Sequence, residues 1–357
     1  MTTYRTLGRT GVQVSPLALG AMNFGARGNR DHDDSITIIH RALDAGVNVI
    51  DTADVYSQGE SEEIVGKALT GGRRAKVFLA TKFHGRMGDD PNQQGNTRRW
   101  IFRAVEDSLR RLNTDHIDLY QAHRPDPATD FEETLGALTD LVRHGKIRYY
   151  GTSVHPPAQL VEGQWIAERR GLPRSSTEQI PYSPLVRSNE RDVLPLAQKY
   201  GLGVLAYGPL AAGWLSGGYR VGARQPKSYR EDRIPGRFDI AAPGNADKLA
   251  AADALAKLAE DAGLTLIQLS VAFALNHPAV SAVIIGPRTR EHLDGYLSTL
   301  EVRLTADILD RIDEIVPPGH VFHLRDTGAL PPAVTEPALR RRPLPAPSDT
   351  REGARPT

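Results

Sequence analysis

Asp51, Tyr56, Lys82 and His123 are the side chains whose types and positions suit acid–base chemistry on a single substrate atom. Asp51 and Tyr56 lie in VNVIDTADVY, Lys82 in VFLATKF and His123 in IDLYQAHRPDP, each just past a short apolar run (47–50, 77–80 and 117–120). A free phenol is a weak acid near neutrality, whereas general acid catalysis works best close to the operating pH. A lysine held cationic by a carboxylate stabilises developing phenolate character. A histidine placed on the same substrate oxygen orients it and shares its forming charge, as an oxyanion donor does. Such a group is a proton donor or acceptor for a carbonyl. Each residue alone has a plainer reading: a turn-capping Asp, a loop aromatic, a solvated strand-end Lys, a His bonded to a nearby carbonyl. Four of them in register with strand ends argue for chemistry.

That convergence requires a fold that gathers strand ends. Segments 4–7 and 12–14 flank Gly8-Arg9-Thr10-Gly11 and read as a hairpin. Strand patterns follow at 17–19, 47–50, 77–80, 117–120, 147–150, 177–180, 203–206 and 282–285. Helical spacing appears at 35–45, 61–70, 97–112, 131–144, 157–169, 190–200, 245–262, 265–276 and 289–299. Eight strands alternating with helices predict an α/β chain folded as a (β/α)8 TIM barrel, with an N-terminal β-hairpin and a long loop after strand 7. One of the two helices before the last strand is extra to the repeat. The βα loops of such a barrel meet at the C-terminal rim, where the four residues would assemble.

Two segments break the rhythm. Residues 208–243 are rich in Gly, Pro and Arg and too long for an ordinary connection, so they read as a functional loop. The barrel is expected to occupy 1–325. Residues 326–357 are Pro- and Arg-rich, include Arg340-Arg341-Arg342, and are expected to form a disordered tail.

The 357 residues carry a formal net charge of +1, which gives no electrostatic case for nucleic acid or a membrane surface as partner. With no cysteine, disulfides, thiol nucleophiles and Cys-ligated zinc are excluded. No N-terminal apolar stretch suits a signal peptide and no apolar run approaches 18 residues, so a cytoplasmic enzyme is expected.

From the hairpin to about Gly319 the chain resembles the aldo-keto reductase superfamily. The resemblance rests on Asp51-Thr52-Ala53-Asp54-Val55-Tyr56, Ala80-Thr81-Lys82, Ala122-His123-Arg124-Pro125-Asp126-Pro127, Gly151-Thr152-Ser153 and Tyr207-Gly208-Pro209-Leu210. It is similar to the bacterial branch and to potassium-channel β-subunits. The resemblance implies reduction of an aldehyde or ketone, a keto sugar or natural-product intermediate included. Tyr56 would be the proton donor, Lys82 and Asp51 its tuning pair, and His123 the orienting group.

No G-x-G-x-x-G lies between a strand and a helix, so the cofactor site is not of the Rossmann kind. The resemblance implies NADPH/NADP+ instead. Ser153 and Gln179 would hold the carboxamide, with Asp51, Ala21 and Met22 beside them. Tyr207 would stack on the nicotinamide, and Gly208, Pro209, Leu210, Ala211 and Gly213 would follow the pyrophosphate. Gly286 and Arg288 would meet the adenosine 2′-phosphate, a helix start plus an arginine favouring an anion, and His292 would lie near the adenine. Val154 stands where many members carry a carboxamide-binding asparagine. Gly218 replaces a frequent lysine, and His292 and Tyr296 occupy positions usually Gln or Arg, and Asn.

Met22, Phe24, Tyr56, His84, Trp100 and Trp214 are candidates for pocket wall or packing, and Arg27, Arg30 and Arg86 for an acidic or sugar substrate. The expected partner is a small carbonyl compound, and a homo-oligomer is compatible with the resemblance. Three other readings compete. A barrel metallohydrolase would use His84, His123 and His155, but no H-x-H follows the first strand. A nucleotide-sensing module would resemble the channel β-subunits, which carry asparagine where this chain has His123. Retained-NADP redox chemistry on a sugar nucleotide is the third.

Overall fold

Left-handed glycines and an apolar plug close one end of the structure. In the computed structural model, which describes residues 3–226 and 235–341, β1 (Arg5–Thr6) and β2 (Gln13–Val14) form an antiparallel hairpin. Its Gly8 has φ +52, and a Cβ there would lie 2.4 Å from the Gly203 nitrogen. Only glycine permits that approach. The hairpin therefore sits against the barrel, with Leu7 and Val14 joining the inner apolar cluster.

Eight further strands follow: β3 (Leu17–Gly20), β4 (Val49–Asp51), β5 (Phe78–Phe83), β6 (Ile117–Ala122), β7 (Ile147–Ser153), β8 (Thr177–Pro181), β9 (Gly203–Tyr207) and β10 (Val280–Ile285). They pair in parallel and close as β10-β3-β4-β5-β6-β7-β8-β9. Alternate side chains point inward: Ala18, Val49, Phe78, Ala80, Leu119, Leu205, Ala282 and Ile284 form one buried inner cluster. The opposite faces pack on the helices in the larger outer core.

The helices are α1 (His32–Asp44), α2 (Glu60–Ala68), α3 (Arg98–Leu112), α4 (Phe131–Arg143), α5 (Pro157–Arg170), α6 (Val193–Tyr200), α7 (Asn245–Asp261), α8 (Leu266–Asn276), α9 (Arg290–Leu297), α10 (Ala306–Ile315) and α11 (Pro332–Thr335). Many start on a side-chain cap that satisfies an orphan N–H: Asp31 before α1, Thr97 before α3, Asp130 before α4 and Thr289 before α9.

The expected barrel, hairpin and alternation are present. The differences lie in extent. β5, β6 and β7 run past the expected ends, so Lys82 lies within β5 rather than beyond it. The extra helix is α7, and α10, not anticipated from the sequence, packs against it. The loop after β9 contains turns at Ala211–Gly213 and Pro235–Arg237; its residues 227–234 lie outside the described residues. Of the segment expected as a tail, residues 326–341 carry short turns and α11, and Asp326 is buried. The remainder, from Arg342, lies outside the described residues. Among the described residues no single helix is long and apolar enough to cross a membrane.

Candidate active site

Strand parity decides which residues reach the C-terminal mouth. Asp51 ends β4 two residues after inward Val49, and Lys82 follows inward Ala80 in β5. Gln121, Ser153, Gln179 and Tyr207 occupy inward positions on β6 to β9, the first two pairs through Lys82↔Gln121 and Ser153↔Gln179. Tyr56 opens a 3-10 turn (Tyr56–Gly59) just after β4, and His123 follows β6 directly.

Lys82 is fully buried. Its Nζ donates to Asp51 Oδ1 at 2.5 Å, to the Thr52 carbonyl at 2.7 Å and to Tyr56 Oη at 3.4 Å. Burial by itself would lower the ammonium's pKa, but the Asp51 carboxylate and Tyr56 together outweigh it and hold the pKa above the ordinary value. Lys82 is therefore a permanent cation beside the phenol. The second oxygen of Asp51 accepts from Gln179 Nε2 at 2.9 Å and from Gln121 Nε2 at 3.4 Å. Both carboxylate oxygens are thus engaged, as a buried charge requires.

The rings of Tyr56 and His123 meet edge to face with centroids 5.7 Å apart. The His123 pKa lies well below the ordinary imidazole range, first through desolvation and then through Lys82, Arg124, His84 and Arg27. At neutral pH the ring is uncharged, carrying one N–H and one bare nitrogen. The site thus brings together a phenol, a fixed cation behind it and a neutral imidazole in front.

The residues expected around a cofactor divide into two groups. Gln179 joins the Asp51 cluster, and Ser153 Oγ donates to the Gln179 carbonyl at 3.0 Å. Ala21 is buried behind the site, its N–H on the Asp51 carbonyl at 2.8 Å, whereas Met22 is 38% exposed at the rim. Tyr207 is half-buried at the end of β9, and the following loop holds Gly208, Ala211 and Gly213 at positive φ, with Pro209 and Leu210 between. The second group lies at the start of α9. There the Gly286 carbonyl accepts from Asn23 Nδ2 at 2.8 Å and the Arg288 carbonyl from Asn29 Nδ2 at 3.2 Å, while His292 is exposed.

Of the candidate pocket aromatics, Phe24, Trp100 and Trp214 are buried in the outer core, so they pack rather than line the mouth. Trp214 stacks on Tyr219 at 4.4 Å, with Lys248 Nζ over its ring. His84, at φ +125, is held by Asn96 Oδ1 at 3.0 Å from Nδ1. Among the described residues no group of three His, Asp or Glu could hold a metal ion.

Three supporting features were not read from the sequence. Gln121 braces Asp51, and only its inward parity would have pointed to it. Glu178, on the outward face beside Gln179, accepts from Thr152 Oγ1 and from the His155 N–H at 2.9 Å, tying down the turn after β7. In that turn Val154 has φ +52, a region that β-branched residues rarely enter. The third is the chain near Gly328, which packs against Val154 and Tyr207: a Cβ at Gly328 would lie 2.5 Å from Val154 Cγ1 and 2.9 Å from Tyr207 Oη. Nearby, Asp326 forms a buried ion pair with Lys248 of α7.

Comparison with known proteins fits this geometry. The model of the aldo/keto reductase family matches residues 16–317. An uncharacterized oxidoreductase, YrpG, of Bacillus subtilis is 39% identical, over 88% of this chain and 97% of its own length. A putative voltage-gated potassium channel subunit beta of Schizosaccharomyces pombe is 34% identical, over 88% of this chain and 93% of its own. The versiconal hemiacetal acetate reductase of Aspergillus parasiticus is 32% identical, over 87% and 96% respectively.

Proposed function

The chain belongs to the aldo/keto reductase family, and from that premise we propose that it reduces an aldehyde or ketone with NADPH, using Tyr56 as proton donor. The observation that carries this reading is the contact of the buried Lys82 ammonium with both Asp51 and Tyr56 Oη, with His123 against the phenol ring.

The residues at the mouth fit a nicotinamide dinucleotide. Gln179 commits its amide N–H to Asp51, and its Oε1 remains an acceptor for a carboxamide N–H. Gly208, Gly213 and Gly217 have positive φ and open space where a Cβ would stand, as backbone that must approach a pyrophosphate requires. Ser153, Gln179 and Tyr207 would hold the nicotinamide end, and Arg288 with the α9 start the adenosine phosphate. NADPH would supply hydride for the carbonyl carbon.

The chain's own groups do the rest. His123, being neutral, donates its N–H to the carbonyl oxygen without surrendering the proton. Tyr56 delivers its proton to the same oxygen, and Lys82 stabilises the charge left on Oη. Asp51 keeps Lys82 charged and fixed. The match to a named channel β-subunit motivates a second reading, a nucleotide-sensing module, but the presence of Asp51, Tyr56, Lys82 and His123 together favours turnover.

Tyr56→Phe tests the assignment. NADPH titration by fluorescence should be nearly unchanged, while turnover of a panel of aldehydes, ketones and keto sugars falls by about two to four orders of magnitude. Turnover near that of the unaltered protein would remove Tyr56 from the mechanism. Tight NADPH binding with no turnover by the unaltered protein would favour the sensing module.

A further inference from the structure

Two arginines bracket the reacting groups. Arg124 follows His123 directly, and its Nη1 donates to the His123 carbonyl at 2.9 Å. Arg27 is tied to the residue after Tyr56 through its backbone N–H on Ser57 Oγ at 3.2 Å. Both side chains are half-buried, and neither forms an ion pair among the described residues. Of the other arginines, Arg290 is paired with Asp34, and Arg237 shares Asp326 with Lys248.

The carboxylates close by are committed elsewhere: Glu60, beside the Arg27 loop, accepts from the Ala26 N–H at 2.7 Å and contacts His32 Nε2 at 2.8 Å. Asp51 serves Lys82 and the two glutamines. Asp54 is fully buried, its pKa pushed up by burial and then by Glu62. Asp126 accepts from the Asn96 and Ala128 N–H groups and from Thr129 Oγ1, all within 3.0 Å, and so is turned into its own loop. Positive charge outweighs negative beside His123. After desolvation, the charges that act on His123 are those of Lys82, Arg124, His84 and Arg27, all positive, whereas at Tyr207 Arg124 and Arg237 are opposed by Tyr56 and Glu178. A concave site with unbalanced positive charge concentrates anions.

We propose that the substrate carries an anionic group, a carboxylate or a phosphate ester, held between Arg27 and Arg124 while its carbonyl oxygen meets Tyr56 and His123. This rests on the reductase reading for the placement of the carbonyl, but the anion site stands on the arginines themselves. A guanidinium matches either oxyanion through paired N–H donors.

Matched carbonyl pairs test it: succinic semialdehyde against butanal, and glyceraldehyde 3-phosphate against glyceraldehyde. The anionic member of at least one pair should show a kcat/KM roughly tenfold or more higher, the scale of one charge-assisted contact. The advantage should shrink at high salt, and the pair that shows it identifies carboxylate or phosphate. Arg27→Gln and Arg124→Gln should each reduce that ratio through KM of the anionic member. Calorimetry with succinate and glycerol 3-phosphate supplies a readout without turnover: at least one should bind the unaltered protein and neither the double variant. Equal kcat/KM within both pairs, or loss of NADPH affinity in step with the ratio, would overturn the proposal. Arginine-dependent anion binding without turnover of any carbonyl would uphold the anion site and refute the reductase reading.

Discussion

Lys82→Met should separate what the buried pair contributes to stability from what it contributes to chemistry. The ammonium lies 3.4 Å from Tyr56 Oη, a separation worth ~5 kcal/mol to a full charge at an effective dielectric of about 20. Asp51, 2.5 Å from Nζ on the other side, offsets part of that. A net loss of ~3 kcal/mol in the transition state is expected, or roughly two orders of magnitude in turnover. Stability should fall as well, because methionine leaves Asp51 as an unpaired buried carboxylate, at a cost of ~3–5 kcal/mol. For 357 residues, with an unfolding entropy of ~2.1 cal/mol/K per residue, the melting temperature drops by ~4–7 °C. The penalty should be smaller at pH 5 than at pH 8: an unpaired buried carboxyl gains a raised folded pKa, and its cost fades as falling pH protonates it. Adding Asp51→Asn removes the stranded charge and keeps an oxygen for Gln179. The double variant should regain most of the melting temperature and none of the turnover. Thermal melts by circular dichroism and NADPH absorbance loss read the two effects. Unchanged melting of Lys82→Met, or turnover restored in the double variant, would refute the reasoning.

Two further perturbations probe the turn behind Ser153. Burial pushes the Glu178 pKa up to about 8 against its hydrogen bonds from Thr152, His155 and Val154, and pushes that of His155 down to about 4 against the Ser153 carbonyl. Glu178 therefore costs stability increasingly as pH rises from about 4.5 to 8, and His155 as pH falls from about 6.5 to 4. The two slopes cancel between about pH 4.5 and 6.5, so stability should be level there and fall above pH ~6.5, and Glu178→Gln should flatten that alkaline limb, which accounts for ~2 kcal/mol between about pH 6.5 and 8; a melting profile identical to that of the unaltered protein would exclude Glu178 as its source. Val154→Asn should raise the melting temperature by ~1–3 °C, since asparagine tolerates the left-handed conformation that valine enters at a cost of ~1–2 kcal/mol. A fall instead would mean that the methyl packing against Gly328 outweighs the strain.

The barrel was legible because its signal is local. Each apolar run and each helical stripe is complete within about fifteen residues, and the caps that start helices, such as Thr97 and Asp130, lie beside what they cap. α10 escaped because its stripe is thin: Ile312 is its one fully buried side chain, so its pattern competes poorly with surrounding polar residues. The packing of the C-terminal segment was not legible for a different reason. Asp326 is held by Lys248, 78 positions earlier, and nothing near Asp326 in the sequence marks it as buried. A composition rich in proline and arginine argues for a tail, while Asp326, paired with both Lys248 and Arg237, draws the start of that segment against the barrel.

The site divides along the same line. Asp51, Tyr56, Lys82 and His123 announce themselves by type at strand ends, and a reader needs only the fold to bring them together. Their support depends on parity and register, which a single sequence carries weakly. Asp51 pairs with Ala80, so Lys82 stands two residues nearer the rim and its amine can reach back to the carboxylate. Following the ladder from Lys82 leads to Gln121, Gly151, Thr177 and Gly203, descending from the functional layer to the glycine against which the hairpin packs. Shifting β6 by one residue would turn Gln121 out of the barrel and leave Asp51 with one amide fewer. Glu178 beside Gln179 shows the other side of the same rule: adjacent polar residues, one braced on Asp51 inside the barrel and one clamping a backbone turn outside it. Type alone suggests which residues can do chemistry; the closed register decides which of their neighbours hold them to it.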